Sequence, residues 1–288
     1  MSIFYLDGDF VDSEKAVLSV NDMAVLRGYG IFDFMRTYNK RPFYLKEHID
    51  RLVNSGQKVG LNLPCTKEAL FDIVMETLER NDNEESNVRI VYTGGTSHDS
   101  VTPEGKGKLI VMVTPKHDLP SWWYTKGVKI ITVDVERYIP EAKSTNYMNA
   151  VLTQQEAIKS NAVESVYVDR DGRVLEGTTT NIFLYLDNKW VTPGAGILPG
   201  ITRSVIIELM NEQQAVELRD ISREDIAKAK EIIITASNKE IVPVIQVDDI
   251  QIGDGQIGVH SAEIMKKFKE FTTRYGQEGH AERVKTAV

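Results

Sequence analysis

Cysteine is nearly absent from this sequence of 288 residues, in which Cys65 stands alone. No intrachain disulfide can form, which excludes the small disulfide-rich secreted scaffolds and most zinc modules. The first residues, Met1 to Asp7, lack the basic segment and the long apolar run of a signal peptide. No stretch approaches the roughly 18 consecutive apolar residues that a membrane helix needs. We therefore expect a soluble cytoplasmic protein that has no membrane partner.

The sequence also contains fewer basic than acidic residues. The 34 Lys and Arg residues are outnumbered by 42 Asp and Glu residues, which gives a net charge of -8 and a pI near 5.3. An acidic surface repels phosphate backbones, so no nucleic-acid partner is expected, although a local pocket for one small anion is compatible with this charge. The five histidines show no metal-ligand spacing, so no metal site is expected.

The glycine signatures of the common nucleotide-binding folds are missing as well. The sequence contains neither GxGxxG nor GxxxxGK[ST], which leaves a Rossmann or P-loop fold without its phosphate-binding loop. What is present is a mixture of strand and helix periodicities with many hairpins and no run of βαβ units, and this predicts an α+β protein. The hydrophobic fraction of 42% is sufficient for the cores of two compact lobes.

A stretch rich in proline and tryptophan divides the sequence into these two lobes. We predict a small N-terminal α/β domain over residues 1–115 and a linker over residues 116–126, anchored by Trp122 and Trp123. A larger β-rich domain is predicted over residues 127–275. Residues 276–288 are polar and are predicted to form a frayed tail.

Several loops carry candidate catalytic or anion-binding residues. Lys143 lies between a strand and a helix, and a nucleophilic lysine there must be partly buried so that its amine can be neutral, whereas most lysines are solvated surface charges. Residues 196–203 form a glycine loop that runs into a helix, which is either a phosphate site or a plain helix cap. Residues 235–238 are either a second anion-binding site, formed by hydroxyls and turn N–H groups, or only a polar turn. Glu176 ends a predicted strand and is either functional or a surface carboxylate.

Five short segments in a fixed order carry a resemblance to a known family. They are His48-Ile49-Asp50-Arg51-Leu52, Ala142-Lys143-Ser144-x-Asn146-Tyr147, Glu176-Gly177 through Asn181-Ile182-Phe183, Gly200-Ile201-Thr202-Arg203, and Ser237-Asn238 through Glu240 with Pro243. In order and spacing they resemble the fold type IV (class IV) pyridoxal-phosphate (PLP) aminotransferases, whose relatives include D-amino acid aminotransferases, branched-chain aminotransferases and aminodeoxychorismate lyases. The resemblance implies a two-domain fold with a small α/β N-terminal domain and a larger β-rich C-terminal domain that contains a pseudo-barrel.

The resemblance also implies a role for each matching residue. Lys143 would bond covalently to PLP and carry the proton between the substrate Cα and the cofactor C4′. Glu176 would pair with the pyridine nitrogen and keep it protonated, and Arg51 would bind the phosphate. Further phosphate contacts would come from Ile201, Thr202, Ser237 and Asn238, the ring contact from Leu198, and a hydrogen bond to the phenolic oxygen from Tyr147. His48 is expected only to pack on its helix. In this family one subunit completes the site of the other, so a homodimer is implied.

The preferred enantiomer depends on the residues that bind the substrate α-carboxylate. The D-amino acid aminotransferases that this chain resembles carry an arginine and a histidine in the loop after Ser97, where this chain has Asp99 and Val101, so that clamp is absent. Branched-chain enzymes carry a Phe-Glu-Gly-x-Arg run on an early strand. Here Phe34 replaces the glycine, which would reshape the side-chain pocket.

Two other arginines are candidates for the carboxylate. Arg27 lies just before a predicted strand, and Arg89 lies in the middle of another. Because a planar guanidinium suits a carboxylate, we predict that Arg89, together with Arg27 of the neighbouring subunit, binds it, as in an atypical subgroup of D-amino acid aminotransferases that this pair resembles. A surface ion pair is the alternative for each arginine. Arg36, which shares a strand face with Phe32, competes for the role.

The function predicted from the sequence is transamination. The amino donor is predicted to be a D-amino acid such as D-alanine or D-glutamate, and the acceptor a 2-oxo acid such as 2-oxoglutarate or pyruvate. An L-branched-chain amino acid aminotransferase and a 4-amino-4-deoxychorismate lyase are the alternatives, because both share the scaffold and the cofactor. The substrate-binding candidates are Arg27, Phe32, Arg36 and Arg89.

Overall fold

A computed structural model describes residues 2–286, with the backbone alone for residues 279–286. By the density of internal contacts, the chain divides into two compact units. The first comprises the residues up to His117, Ala142–Tyr147 and the residues from Thr272 onward; the second comprises Asp118–Glu141 and Met148–Phe271. This division differs from the contiguous domains predicted from the sequence, because two distant segments belong to the first unit.

The first unit is built on an antiparallel sheet with helices beside it. Its strands are β1 (Ile3–Leu6), β2 (Asp9–Asp12), β3 (Gly30–Tyr38), β4 (Arg41–Pro42), β5 (Ser86–Thr93) and β6 (Leu109–Pro115). Its helices are α1 (Met23–Arg27), α2 (Leu45–Val59) and α3 (Lys67–Glu79). Within the described residues the strand order is β2-β1-β6-β5-β3-β4. Thr66 caps the N-terminus of α3, because its hydroxyl accepts a hydrogen bond from the Ala69 N–H at 3.2 Å.

Alternation along β3 assigns its side chains to two faces. Ile31 and Met35 are fully buried in the same apolar cluster as Leu52 of α2. Burial of each such side chain contributes roughly 1.5–3 kcal/mol, which fixes the register of the strand. The opposite face carries Phe32, Phe34 and Arg36, and Phe34 pairs directly with Arg89 of β5.

The segment Ala142–Tyr147 belongs to the first unit because it pairs with the start of β3. The Phe32 N–H donates to the Lys143 carbonyl oxygen at 2.9 Å, and the Thr145 N–H donates to the Gly30 carbonyl oxygen at 2.9 Å. The Lys143 N–H donates to Ser55 Oγ of α2 at 3.0 Å. The backbone of Lys143 is therefore held by both β3 and α2.

The second unit is built on a curled mixed sheet. Its strands are β7 (Val128–Asp134), β8 (Glu164–Val168), β9 (Arg173–Gly177), β10 (Asn181–Leu186), β11 (Lys189–Thr192), β12 (Glu217–Leu218), β13 (Ile221–Ser222), β14 (Glu231–Ala236), β15 (Glu240–Val247) and β16 (Ile250–Gln251). Its helices are α4 (Trp122–Lys126), α5 (Met148–Lys159), α6 (Ile201–Asn211), α7 (Arg223–Lys228) and the first part of α8 (Val259–Thr286). The strand order in the part that the structure describes is β12-β11-β10-β14-β15-β7-β8-β9-β13, and β16 pairs with β15.

The core of the second unit consists of aliphatic side chains from the middle strands. Ile182 and Leu184 of β10, Ile234 of β14 and Val242 of β15 are fully buried in one cluster. Trp123, which the sequence analysis assigned to a linker, packs against this cluster as part of α4. The packed strands hold their ends in fixed positions, and Ser237 directly follows the end of β14.

The last helix, α8, continues beyond Gly276 to Thr286 through the segment predicted as a frayed tail; residues 287 and 288 lie outside the described part. Tyr275 anchors it to the first unit: its hydroxyl donates to the Pro42 carbonyl oxygen and accepts from the Tyr44 N–H, both at 3.0 Å. The Arg41 guanidinium lies 4.0 Å from the centre of the Tyr275 ring. Neither α8 nor any other helix in the described residues is long and apolar enough to cross a membrane.

Candidate active site

Lys143 is half-buried, and its amine lies against an aromatic face. The Nζ atom is 4.7 Å from the centre of the Phe32 ring, and the Tyr147 ring meets Phe32 edge to face at 5.4 Å. The structure thus brings together three residues that the sequence analysis singled out. Partial burial is the environment that a lysine nucleophile requires, because it disfavours the charged form of the amine.

A buried charge cluster lies in the same unit, between β3 and α2. Arg51 is 7% exposed and donates to Asp33 twice, from Nε to Oδ2 at 2.9 Å and from Nη2 to Oδ1 at 2.7 Å. Nδ1 of the fully buried His48 lies 2.6 Å from Oδ1 of Asp33. Asp33 therefore fixes the orientation of the predicted phosphate-binding arginine. His48 does more than pack on its helix, because it is part of this polar cluster.

The electrostatics of the cluster favour a charged Asp33 and a neutral His48. Burial opposes ionisation of Asp33, but the positive charge of Arg51 and the contacts with His48 together hold the pKa of this carboxyl below its usual range. Burial lowers the pKa of His48, and Arg51 and Lys143 act in the same direction against the attraction of Asp33. Nε2 of His48 has no hydrogen-bond partner among the described residues.

The three candidate arginines of the first unit have different surroundings. Arg89 is exposed, with its guanidinium 5.2 Å from the centre of the Phe32 ring and 5.4 Å from that of Phe34. Arg27 is also exposed and donates from Nη1 to the Leu26 carbonyl oxygen at 2.9 Å. Arg36 is only 6% exposed. The structure therefore brings Arg89, but not Arg27, against the ring that also contacts Lys143.

The loop after β5 contains the two positions at which a carboxylate clamp is missing. Asp99 accepts hydrogen bonds from the Thr102 N–H at 2.7 Å and the Val101 N–H at 2.9 Å, and these interactions hold its pKa well below the usual range. The Val101 side chain is 68% exposed. Neither side chain can supply the positive charge of a carboxylate clamp.

In the second unit, Glu176 is held by contacts on both oxygens. Arg137 Nη1 donates to Oε1 at 2.6 Å, and the Leu198 N–H donates to Oε2 at 2.9 Å. Glu176 is 5% exposed, and the guanidinium and the N–H group satisfy one oxygen each of this buried carboxylate. The arrangement can present a fixed negative charge to a protonated ring nitrogen.

The start of α6 is the predicted anion site of the second unit. Gly200 is the N-cap, so the N–H groups of Ile201 and Thr202 belong to the first turn and have no partners within the helix. Asn181 holds the loop before the helix by donating from Nδ2 to the Leu198 carbonyl oxygen at 3.1 Å. A Cβ atom at position 200 would collide with Oδ1 of Asn181, which accounts for the glycine.

The turn after β14 provides the other predicted phosphate contacts. Ser237 and Asn238 are half-buried in this turn. Two residues earlier, the Thr235 hydroxyl is buried and has no hydrogen-bond partner among the residues that the structure describes. Strand β14 pairs Thr235 with Asn181, so the turn and the loop before α6 are attached to adjacent strands.

A model of the class IV amino-transferase family matches residues 30–247. The chain belongs to the class IV aminotransferase family. This aminotransferase is 36% identical over 283 residues to a Methanocaldococcus jannaschii protein provisionally assigned as a branched-chain amino acid aminotransferase, with 94% of this chain and 97% of that protein covered. It is 31% identical over 278 residues to a D-alanine aminotransferase of Staphylococcus aureus, with 94% and 98% covered. The crystal structure of the Escherichia coli branched-chain amino acid aminotransferase superposes with a TM-score of 0.89 at 26% identity, covering 94% of this chain and 95% of that one.

These findings confirm the predicted family, the α+β fold and the cofactor, since class IV aminotransferases use PLP. The residues present fit this cofactor. The first unit has a half-buried lysine and an oriented arginine, and the second has a held carboxylate and the N–H groups of a helix start. The buried Thr235 hydroxyl adds a further polar group beside the predicted phosphate turn.

Sequence reasoning missed several residues of the site. Asp33, Arg137 and Asn181 each orient a predicted site residue or loop. Asp33 carried a signal, because it is an acidic residue on the face of β3 that also carries the apolar Ile31 and Met35. Arg137 carried none, since only the fold brings it to Glu176, 39 residues further along the chain.

Proposed function

We propose that this aminotransferase transfers the amino group of a D-amino acid, such as D-alanine or D-glutamate, to a 2-oxo acid such as 2-oxoglutarate or pyruvate. One observation carries the proposal. The guanidinium of Arg89 and the Nζ atom of Lys143 contact the same ring, that of Phe32. A positive group at this place can bind a carboxylate close to the reacting amine, and no acidic side chain in the described residues forms an ion pair with Arg89.

In this proposal the residues that hold PLP are those predicted from the sequence. Lys143 bonds to the cofactor, Arg51 binds its phosphate and Glu176 pairs with its ring nitrogen. The start of α6 at Ile201 and Thr202 and the turn of Ser237 and Asn238 bind the phosphate, Leu198 packs on the ring and Tyr147 binds the phenolic oxygen. PLP supplies an electron-withdrawing ring and a carbon that can bond to an amine. Nζ of Lys143 takes the proton from the substrate Cα, while the fixed charge of Glu176 maintains the proton on the ring nitrogen.

The carboxylate clamp would consist of Arg89 and the partner subunit's Arg27. Arg27 ends α1 and is exposed in a single chain, so it is available to a neighbouring subunit. The Phe32 ring contacts both Arg89 and Lys143 and would help to set the distance from the carboxylate to the reacting carbon. Arg36, which is 6% exposed on the same strand face as Phe32, is the competing candidate for this role.

We also propose a homodimer, which the use of Arg27 requires. Helix α5 exposes apolar side chains at helical spacing: Met148 is 66% exposed, Val151 54% and Leu152 50%. Such a stripe is costly in water and suits a surface that is covered by a second copy. Sedimentation of the purified protein tests the assembly, and a monomer at micromolar concentration that retains full activity would contradict it.

L-branched-chain amino acids are the second candidate substrates. The relative from M. jannaschii, at 36% identity, carries that assignment, and so does the E. coli enzyme with a similar fold. Against this candidate, Phe34 occupies the position of a glycine in the branched-chain motif, and its ring contacts Arg89. The lyase alternative receives less support, because the relatives reported above are named as aminotransferases.

The test is a visible spectrum of the PLP-loaded protein during separate additions of D-alanine, D-glutamate, L-leucine and L-glutamate. Conversion of the yellow PLP form to the pyridoxamine form by the D-amino acids alone is the expected result. Conversion by L-leucine instead would retain the family chemistry and overturn the proposed carboxylate site.

Variants of the clamp sharpen this test. Arg89→Ala is expected to lower kcat/KM for D-amino acids by about a hundredfold, the loss that follows from removing a charge-assisted contact. Lys108→Ala, which removes an exposed lysine paired with Asp7 in the same unit, is the control and should retain activity. Unchanged KM and kcat in both Arg89→Ala and Arg27→Ala would disprove the clamp.

A further inference from the structure

A buried ion pair in the second unit has no role in the functions discussed so far. Nζ of Lys239 lies 3.0 Å from Oε2 of Glu164. Lys239 is 8% exposed and Glu164 only 1%. Lysine and glutamate are rarely buried to this extent, and a buried ion pair often contributes little to stability compared with apolar residues of the same size. A pair at this depth therefore calls for an explanation other than stability.

The two residues join parts of the chain that are important for the proposed cofactor site. Lys239 directly follows Ser237 and Asn238 in the turn after β14. Glu164 begins β8, and its carboxylate accepts hydrogen bonds from the Thr178 N–H at 3.1 Å and the Thr179 hydroxyl at 2.8 Å. These threonines follow Glu176 by two and three residues. The ion pair thus connects the turn of Ser237 to the segment of Glu176.

Both ends of this connection are held firmly. The Lys239 N–H donates to the Ala236 carbonyl oxygen at 3.2 Å, and its carbonyl oxygen accepts from the Tyr124 hydroxyl at 3.0 Å. Nζ of Lys239 also donates to the hydroxyl of Thr179. At the other end, a Cβ atom on Gly177 would lie 3.0 Å from Cγ of Glu164, so the glutamate packs against the backbone next to Glu176.

We propose that Lys239 and Glu164 are a positioning pair, which holds the turn of Ser237 and Asn238 at a fixed separation from Glu176. The inference rests on the proposed function, in which the turn binds the cofactor phosphate and Glu176 binds its ring nitrogen. A ligand bound at two points gains affinity when the two points are set at the correct distance before it arrives. The pair would therefore contribute to PLP affinity without contacting PLP.

The test separates PLP affinity from stability by means of a neutral double variant. Lys239→Met leaves the buried Glu164 charge without its partner, so we expect both the melting temperature of the apoprotein and the affinity for PLP to fall. Lys239→Met combined with Glu164→Gln removes both charges. We expect this double variant to recover the melting temperature but to retain a PLP Kd that is weaker by about tenfold, equivalent to one weakened hydrogen bond to a charged group. Lys239→Arg is expected to restore most of the affinity.

The two quantities are measured by titrating apoprotein with PLP and by thermal unfolding of the same samples. A double variant that has the melting temperature of the wild type but binds PLP more weakly supports the positioning role. If affinity recovers together with the melting temperature, the pair is merely structural and the inference is wrong. Glu231→Gln is the matched control. Glu231 is also a buried carboxylate that accepts backbone N–H groups, but it lies at the other end of β14.

Ser237→Ala distinguishes failure of this inference from failure of the proposed function. If Ser237→Ala weakens PLP binding and the double variant binds normally, the positioning role is wrong and the phosphate site stands. If Ser237→Ala binds PLP as tightly as the wild type does, the phosphate contact itself is overturned, and the positioning role with it.

Discussion

The two units use the same kind of ion pair in opposite ways. In the first unit, Asp33 is fully buried and its carboxylate orients the arginine, Arg51, that is proposed to bind the cofactor phosphate. In the second unit, the side chain of Arg137 is 24% exposed and its guanidinium orients the carboxylate, Glu176, that is proposed to bind the ring nitrogen. In each pair the proposed ligand-binding member has the charge opposite to that of the group it binds.

The difference in burial predicts whether each pair affects mainly the stability of the fold or mainly the rate of transamination. Removing one member of a buried pair leaves an uncompensated charge in a low dielectric and is strongly destabilising. A pair with one partly solvated member tolerates the loss more easily, because water can replace the missing contact. We therefore expect disruption of the first pair to affect mainly stability, and disruption of the second to affect mainly the rate of transamination.

The largest expected effect on stability is that of Asp33→Asn. The variant leaves Arg51 buried without its counter-charge, and we expect a loss of about 3–5 kcal/mol in the free energy of unfolding. Urea titration of the apoprotein, followed by circular dichroism, measures it. Asp50→Asn is the control, because Asp50 lies one residue before Arg51 but forms an exposed pair with Lys67, so it should lose less than about 1 kcal/mol. Equal losses in the two variants would contradict the comparison.

A large effect on rate is expected from Glu176→Gln. Loss of the fixed negative charge should lower kcat by about a hundredfold, as the removal of one preorganised electrostatic contact does in other enzymes. Arg137→Met should lower kcat by only about tenfold, because the Leu198 N–H still holds one carboxylate oxygen. Steady-state kinetics with the best amino donor provides the measurement. The matched control is Arg170→Met, which breaks an exposed pair with Glu136. A larger loss of kcat from Arg137→Met than from Glu176→Gln would contradict the view that Arg137 acts only by orienting Glu176.

The smallest effect concerns the pH dependence of stability. Burial lowers the pKa of His48 in the folded protein, so the unfolded chain binds more protons just below the usual value near 6.5. Stability must then fall as the pH falls through this region, by up to about 1.4 kcal/mol per pH unit for one proton. The pKa of Asp33 is also lowered, but its contribution is lost only at more acidic pH. We expect His48→Gln to unfold with a weaker pH dependence between about pH 7 and pH 5.

Urea titrations over this pH range test the prediction, with replacement of the exposed His117 by glutamine as the control for loss of a histidine. If His48→Gln has the same pH slope as the wild type, His48 is not the group responsible. The comparison between the units would then rest on Asp33 and Arg51 alone.

Local patterns predicted most of the elements and the family residues. The helix predicted after the glycine loop of residues 196–203 is α6 (Ile201–Asn211). Local periodicity suffices here because the apolar stripe of a helix and its first turn lie within a few residues of each other. The resemblance selected Lys143 and Glu176 through short motifs, and the structure gives each a surrounding suited to its proposed role.

The remaining features depend on contacts between distant parts of the chain. Lys143 is held by β3 and α2, which precede it by about a hundred residues, and nothing near residue 143 indicates this pairing. The ion pair of Lys239 and Glu164 spans 75 residues. The frayed tail was predicted from the polarity of residues 276–288, which carries no information about Tyr275 and its contacts with Arg41 and Tyr44.

The contacts of Tyr275 mean that the first unit cannot complete its fold until the end of the chain has been synthesised. The first unit contains the N-terminus, yet it needs the lysine loop near residue 143 and the helix beyond residue 271 before all of its parts exist. A ribosome that has translated only the first 117 residues has therefore produced a sheet without its last helix. Fragments cut at the predicted linker would be incomplete for the same reason, and a deletion at the C-terminus would remove part of the N-terminal unit.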